Sequence, residues 1–151
     1  MDLHPDWKEF IELLNAHGVE YVVVGAYAVA FYTTPRNTAD IDFVTRQTEE
    51  NVVRVRAALL EFGIRISDEE ANKFILPNHM IQLGIAPYRI DILTSIDGVD
   101  TEDLYARRVQ GVLGEEKVSF PAKEDLIAAK RAAGRPKDLA DLDRLEREKR
   151  P

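Results

Sequence analysis

The sequence predicts a mixed α+β fold: a mixed sheet flanked by helices, with a short helical tail at the C-terminal end. Three observations carry this. Stretches with apolar residues at helical spacing alternate with short β-branched runs along residues 1–120. Two of the strand-like runs, DIDFV at 40–44 and YRIDIL at 88–93, alternate polar and apolar residues with period two. Residues 121–151 then hold two helical segments, each opened by a proline and separated by Gly134.

Taken in order, residues 5–17 read as an amphipathic helix, with Pro5 at the first position, Asp6 and Glu9 at the positive end of the dipole, and Trp7, Phe10, Ile11 and Leu14 on one face. Trp7 at that spacing is a core residue. Gly18 ends this helix, and VEYVVV at 19–24 is a strand closed by Gly25. AYAVAFY at 26–32 suits a short buried helix, and TTPRNTA at 33–39 a loop. The strand at 40–44 places Asp40 and Asp42 on one face, Ile41 and Phe43 on the other. A helix follows over about 48–62, ended by Gly63, then a short strand at 64–66, then a helical turn announced by the capping box of Ser67 and Glu70.

Pro77, Gly84 and Pro87 break the apolar runs of 74–93 into one or two strands before the strand at 88–93, on which Arg89 and Asp91 share a face. Helix resumes at 101–108 after the turn Asp97-Gly98; residues 117–120 form a last edge strand, and helices occupy 121–133 and 136–149. The 151 residues show no repeat and no linker, so 1–151 is read as one domain with 121–151 packed on it. A chain of this length buries about two-thirds of its unfolded surface.

Composition removes several classes. The absence of cysteine excludes disulfides, thiolate metal sites and a cysteine nucleophile. The longest apolar stretch, 21–32, is too short to span a bilayer, and the N-terminal MDLHPDWKEF has neither the basic start nor the apolar core of a signal peptide, so the expected location is the cytoplasm. The net charge of −7 divides into −9 over residues 1–120 and +2 over 121–151. Such a chain does not wrap a long polyanion by bulk electrostatics, which argues against extended DNA binding while leaving open a small polyanion held through a metal ion.

The chemistry resides in three carboxylates on strands. Asp40 and Asp42 share a face and can reach one cation, and Asp91 from another strand completes a set of hard oxygen ligands of the kind Mg²⁺ takes when it also holds phosphate oxygens and water. Like charges this close repel unless a cation lies between them. Gly25, where strand gives way to helix, lets backbone amides approach a phosphate. His4, His17 and His79 have no metal-ligand spacing. Arg36 in the loop is a candidate to steer phosphate, and Lys130, Arg135 and Lys137 either line the cleft or serve as solvated and capping charges.

With these residues assembled, the segment VVVGAYAVAFYTTPRNTADIDFV at 22–44 resembles the nucleotidyltransferase superfamily of DNA polymerase β, and most closely its small bacterial members: minimal nucleotidyltransferases and the transferases of toxin–antitoxin and phage-defence systems. Gly25 matches the first glycine of the pattern, Arg36 and Thr38 the Arg-x-Thr loop, Asp40 and Asp42 the aspartate pair, and Asp91 in RIDIL the third carboxylate. PAKEDLIAAKRAAGRPKDLADL at 121–142 is similar to the helical tail of such proteins. One position departs: Ala26 stands where the pattern has Gly or Ser, and offers no hydroxyl to the triphosphate.

The resemblance implies a polymerase β-type nucleotidyltransferase fold and transfer of an NMP from an NTP to an acceptor, either tRNA, a protein or a small molecule. Asp40, Asp42 and Asp91 would be the catalytic and metal-holding residues for two Mg²⁺ ions, with Asp91 also the base; Gly25, Ala26, Arg36 and Thr38 would bind the nucleotide. Two rivals stand beside it. A degenerate fold of this kind could act without catalysis, as a nucleotide-binding or antitoxin-like partner protein. A phosphatase of the haloacid dehalogenase type also uses Asp-x-Asp, but there the pair follows a buried strand, whereas Asp40 here follows the polar loop PRNTA.

Overall fold

The computed structural model describes residues 3–35 and 37–147. In chain order the elements are α1 (Pro5–Ala16), β1 (Tyr21–Val24), α2 (Gly25–Tyr32), β2 (Asp40–Thr45), α3 (Glu49–Glu61), α4 (Asp68–Lys73), β3 (Met80–Leu83), β4 (Arg89–Leu93), α5 (Thr101–Ala106), β5 (Val109–Leu113), β6 (Glu116–Phe120), α6 (Lys123–Ala133) and α7 (Pro136–Arg147). The architecture is the expected mixed α+β. A four-stranded mixed sheet has the order β1-β2-β4-β3, and β5 and β6 form a separate two-stranded ribbon. β2 and β4 are parallel, while β1 on one side and β3 on the other run antiparallel to them. A parallel pair needs a long crossover, here supplied by α3, α4 and β3.

The period-two alternation sorts the sheet into two faces. Tyr21, Val23, Ile41, Phe43, Ile90 and Ile92 belong to the main core, with Trp7, Phe10, Ile11 and Leu14 of α1 and Val55, Ala58 and Leu59 of α3. Burying each large apolar side chain contributes roughly 1.5–3 kcal/mol relative to exposure, and Phe10 meets Phe43 edge-on at 5.4 Å between ring centroids. The opposite face carries Asp42 and Asp91, and beyond them Val22, Val24 and Val44 under Leu104 of α5. Apolar backs thus fasten two strands whose fronts are acidic.

The local signals explain most boundaries. The His4 side chain accepts from the Asp6 amide to cap α1, both halves of the Ser67–Glu70 capping box are formed at α4, and Gly134 ends α6 in the left-handed conformation. Three expectations are corrected. No strand forms at 64–66: the Ile64 amide instead closes α3 by donating to the Leu59 carbonyl at 2.8 Å, and Ile66 is buried in the core. The strand near 117–120 pairs with β5, which the sequence reading missed; its two-residue turn places Gly114 and Glu115 at φ 51° and 78°, the primed geometry a twisted hairpin needs. Pro121 precedes α6 rather than opening it, because Ala122 is the N-cap. The end expected at Lys149 lies outside the described residues. None of the described helices is long and apolar enough to cross a membrane.

Candidate active site

The parallel register of β2 on β4 sets Asp42 directly opposite Asp91 and Asp40 opposite Arg89. Because Asp40 and Asp42 share a face, and Arg89 and Asp91 share the same one, three carboxylates and a guanidinium converge. One oxygen from each of Asp40, Asp42 and Asp91 lies within 4.8 Å of the others, the one such acidic cluster among the described residues. The expectation that the two aspartate-bearing strands are neighbours, with their carboxylates on one side, is met by this register. Across the sheet the row through Asp42 and Asp91 continues to Val24 on β1 and Gln82 on β3. Gln82 was not singled out in the sequence; nothing in the broken apolar run of 74–93 marks its register.

Arg89 balances part of this charge. Its Nη2 donates to Asp40 Oδ2 at 2.6 Å and its Nε to Asp91 Oδ1 at 3.0 Å. The strand alternation put Arg89 beside Asp91, but its bridge to Asp40 follows only from the register. Asp42 makes no ion pair among the described residues. Burial, then the charges of Asp40 and Asp91, then a hydrogen bond with Asp91 push its carboxyl up to about 7; Lys137 acts in the opposite direction. A divalent ion among these carboxylates would offset the part of the rise that comes from Asp40 and Asp91.

Gly25 is placed against this cluster. It has φ +70°, and a Cβ there would overlap the Asp42 carboxylate. Only glycine both adopts that backbone and leaves the space. The helix that starts there has no side-chain cap, so its first amides carry the positive end of α2 toward the acidic row. Ala26 follows in the first turn, half-buried. Thr38 holds Asp40: its Oγ1 donates to the Asp40 carbonyl at 3.1 Å and accepts from the Asp40 amide at 3.4 Å. Arg36 lies outside the described residues.

The C-terminal candidates divide. Lys130 is buried and paired with Asp138 at 3.3 Å and Asp141 at 3.1 Å, bracing α6 on α7. Arg135 is bound to Asp138. Lys137 is exposed, and its charge favours the ionised form of Asp42. The histidines stay out of it: His4 caps α1 and His17 faces Glu61 at 3.0 Å.

Two cavities of about 410 and 500 Å³ lie elsewhere, one beside Asn15, Tyr21 and Tyr105, the other beside Gln47, Asn78 and Thr101. Neither is lined by a carboxylate of the cluster. Concavity and charge thus point to different places, and the convergent charge is the stronger indicator, because three carboxylates and a guanidinium meet there beside the start of α2. The haloacid dehalogenase arrangement is not present: Asp40 opens β2, rather than following it.

The donor set consists of hard oxygens and fits a divalent cation such as Mg²⁺. No curated protein matches the chain. The model of a family described as "Nucleotidyltransferase of unknown function (DUF6036)" matches residues 5–146, nearly the whole length, and the chain belongs to that family.

Proposed function

We propose that the protein is a Mg²⁺-dependent nucleotidyltransferase of the DNA polymerase β-like kind, moving an NMP from an NTP to an acceptor hydroxyl, with a toxin–antitoxin or defence pair as its setting. The observation that carries the reading is the in-register pair Asp42–Asp91, joined by Asp40, with the glycine-initiated helix α2 against it. Asp40 and Asp42 would hold the cations, with Asp91 shared between a cation and the acceptor. Bound Mg²⁺ would neutralise phosphate charge and favour the departure of pyrophosphate.

The chain's own groups supply the rest. Gly25 and Ala26 present backbone amides at the start of α2, where a phosphate is met by N–H donors and the helix dipole. Thr38 fixes the backbone of Asp40, so its carboxylate keeps one direction. Arg89 holds Asp91 from the side, leaving a carboxylate oriented to take the proton of an acceptor hydroxyl.

The test is transfer of labelled NMP from each NTP with Mg²⁺ and a cell extract, by wild type, Asp40→Ala, Asp42→Asn and Asp91→Ala, with the labelled product sized to identify the acceptor. Transfer by wild type and its loss in all three variants is expected. Melting is the companion measurement: Mg²⁺ with NTP raises Tm by mass action, and Asp42→Asn removes most of that rise.

Ala26 favours a second reading, a nucleotide-binding partner protein without catalysis, because no hydroxyl stands at that turn. Ala26→Ser separates the two. If backbone amides serve the phosphate, the change is nearly silent; if the missing hydroxyl limits the protein, a donor there is worth roughly 2–4 kcal/mol in the transition state. We expect the silent outcome. No transfer by wild type or Ala26→Ser, with acceptor and partner supplied, would leave the non-catalytic reading.

A further inference from the structure

We propose that two copies of the chain pair edge to edge through β3, about a twofold axis at Ile81, joining their four-stranded sheets into one continuous sheet. The proposal does not depend on the nucleotidyl-transfer reading.

The first observation is an open edge. β3 ends the order β1-β2-β4-β3, while β1, at the opposite edge, lies against β6. The Thr94 amide donates to the His79 carbonyl. Antiparallel alternation from that bond turns His79, Ile81 and Leu83 toward β4 and the backbone groups of Met80 and Gln82 outward. Natural proteins blunt such an edge with charge, with proline or with a covering element. The strand MIQL carries neither charge nor proline.

The second observation is what surrounds the edge. Residues 74–88 contain no Asp, Glu, Lys or Arg, in a chain where these make up 31%. The other uncharged stretch of that length, 21–35, supplies β1 and α2 and is mostly buried, whereas 74–88 is mostly exposed. Among the described residues, five of the ten exposed large hydrophobic side chains lie in it: Ile75, Leu76, Met80, Ile85 and Tyr88. Ile85 is 81% exposed. Such a concentration of apolar surface marks an association site.

The charge pattern selects a second copy as the occupant. The chain carries −7, so two copies repel unless they meet through a surface without charge. A twofold axis also sets β3 against itself, where any charge would meet its like. β3 has none to meet. A basic partner would instead be received by an acidic face, which 74–88 is not.

One register uses both outward residues of each strand. It sets Met80 against Gln82 of the partner subunit, each exchanging backbone hydrogen bonds with the other, and places Ile81 beside Ile81 of the partner subunit on the axis. Antiparallel pairing also brings the Ile85 end of one strand to the Leu76 end of the other, so the flanking apolar residues cover each other. Eleven residues of 74–88 are exposed, against roughly 20–30 a side in a standard interface, so the dimer belongs in the micromolar range. Gln82 shares the face of Asp91. The row through Asp42, Asp91 and Gln82 therefore continues to Met80 of the partner subunit, which closes the β3 side of the acidic face.

The test is analytical ultracentrifugation of the full chain across the micromolar range, with circular dichroism as the check on folding. Wild type is expected to reach the mass of two chains. Met80→Lys and Ile85→Lys are expected to weaken the dimer by about tenfold or more, with unchanged dichroism. Val53→Lys, at an exposed position on α3, is expected to leave it intact. Because the chain has no cysteine, Ile81→Cys gives each chain one thiol, at the axis, with the two Cα atoms about 4.5 Å apart and within disulfide reach. Mild oxidation is expected to link Ile81→Cys chains in pairs and to leave Val53→Cys unlinked. A monomeric wild type overturns the proposal and leaves the edge to a strand of another protein. A dimer that survives both lysine variants, or is weakened equally by Val53→Lys, overturns it too. A folded Ile81→Cys that stays unlinked overturns the axis; should that variant not fold, the lysine variants decide.

Discussion

Gly25 and Asp42 are in such close approach that no side chain fits between them: a Cβ on Gly25 would stand on the Asp42 carboxylate, and Gly25 is held at φ +70°. The helix start and the central carboxylate of the cluster are therefore one structural unit. Gly25→Ala is expected to lower stability by about 1–2 kcal/mol from the left-handed backbone alone, and to abolish the rise in Tm given by Mg²⁺ with NTP. Denaturant unfolding and a melting series measure the two effects.

Asp42 makes the ligand-free protein pH-sensitive. Its carboxyl is raised from the ordinary 3.8 to about 7, chiefly by burial and then by Asp40 and Asp91. The folded state therefore holds that proton more tightly than the unfolded chain, and stability falls as pH rises from about 4 to about 7. The loss is complete above the folded value and absent below the unfolded one. Asp42→Asn is expected to flatten the stability profile in that window and to melt higher than wild type at pH 8. A steeper profile in the variant would show that other groups dominate.

Arg89 is the resident counter-charge of the cluster, through Asp40 and Asp91. Arg89→Ala is expected to lower the Tm of the ligand-free protein, because the carboxylates then repel without compensation. The same change should enlarge the rise in Tm that Mg²⁺ alone produces. A smaller rise than in wild type would mean that Arg89 orients the ligands more than it competes with the cation.

Lys130 is 8% exposed between Asp138 and Asp141, which are 1% and 2% exposed. Lys130→Met leaves two buried carboxylates and should cost about 3–5 kcal/mol, measured by denaturant unfolding. Asp138, whose carboxyl is held low chiefly by its hydrogen bond from Arg135, gives stability that is present above its unfolded value and disappears as pH falls through the folded one. Acid should therefore loosen α7 first, seen as loss of amide protection across α6 and α7 before the sheet.

The sequence by itself determined the character of the elements and the face on which each aspartate lies. Period two on DIDFV and RIDIL put Asp40 with Asp42 and Arg89 with Asp91, and Ser67, Glu70 and Gly134 marked helix ends, because those are local consequences of backbone geometry. The resemblance marked Gly25 and the three aspartates in order. What it could not supply was register. Only strand pairing set Asp42 opposite Asp91, Asp40 opposite Arg89 and Gln82 beside them. Only packing divided the basic residues of the tail into the buried Lys130, the paired Arg135 and the exposed Lys137. The hairpin of β5 with β6 and the failure of 64–66 to pair have the same cause. A strand exists only where another backbone is present to accept its hydrogen bonds, and charges interact according to distances in space that spacing along the chain does not fix.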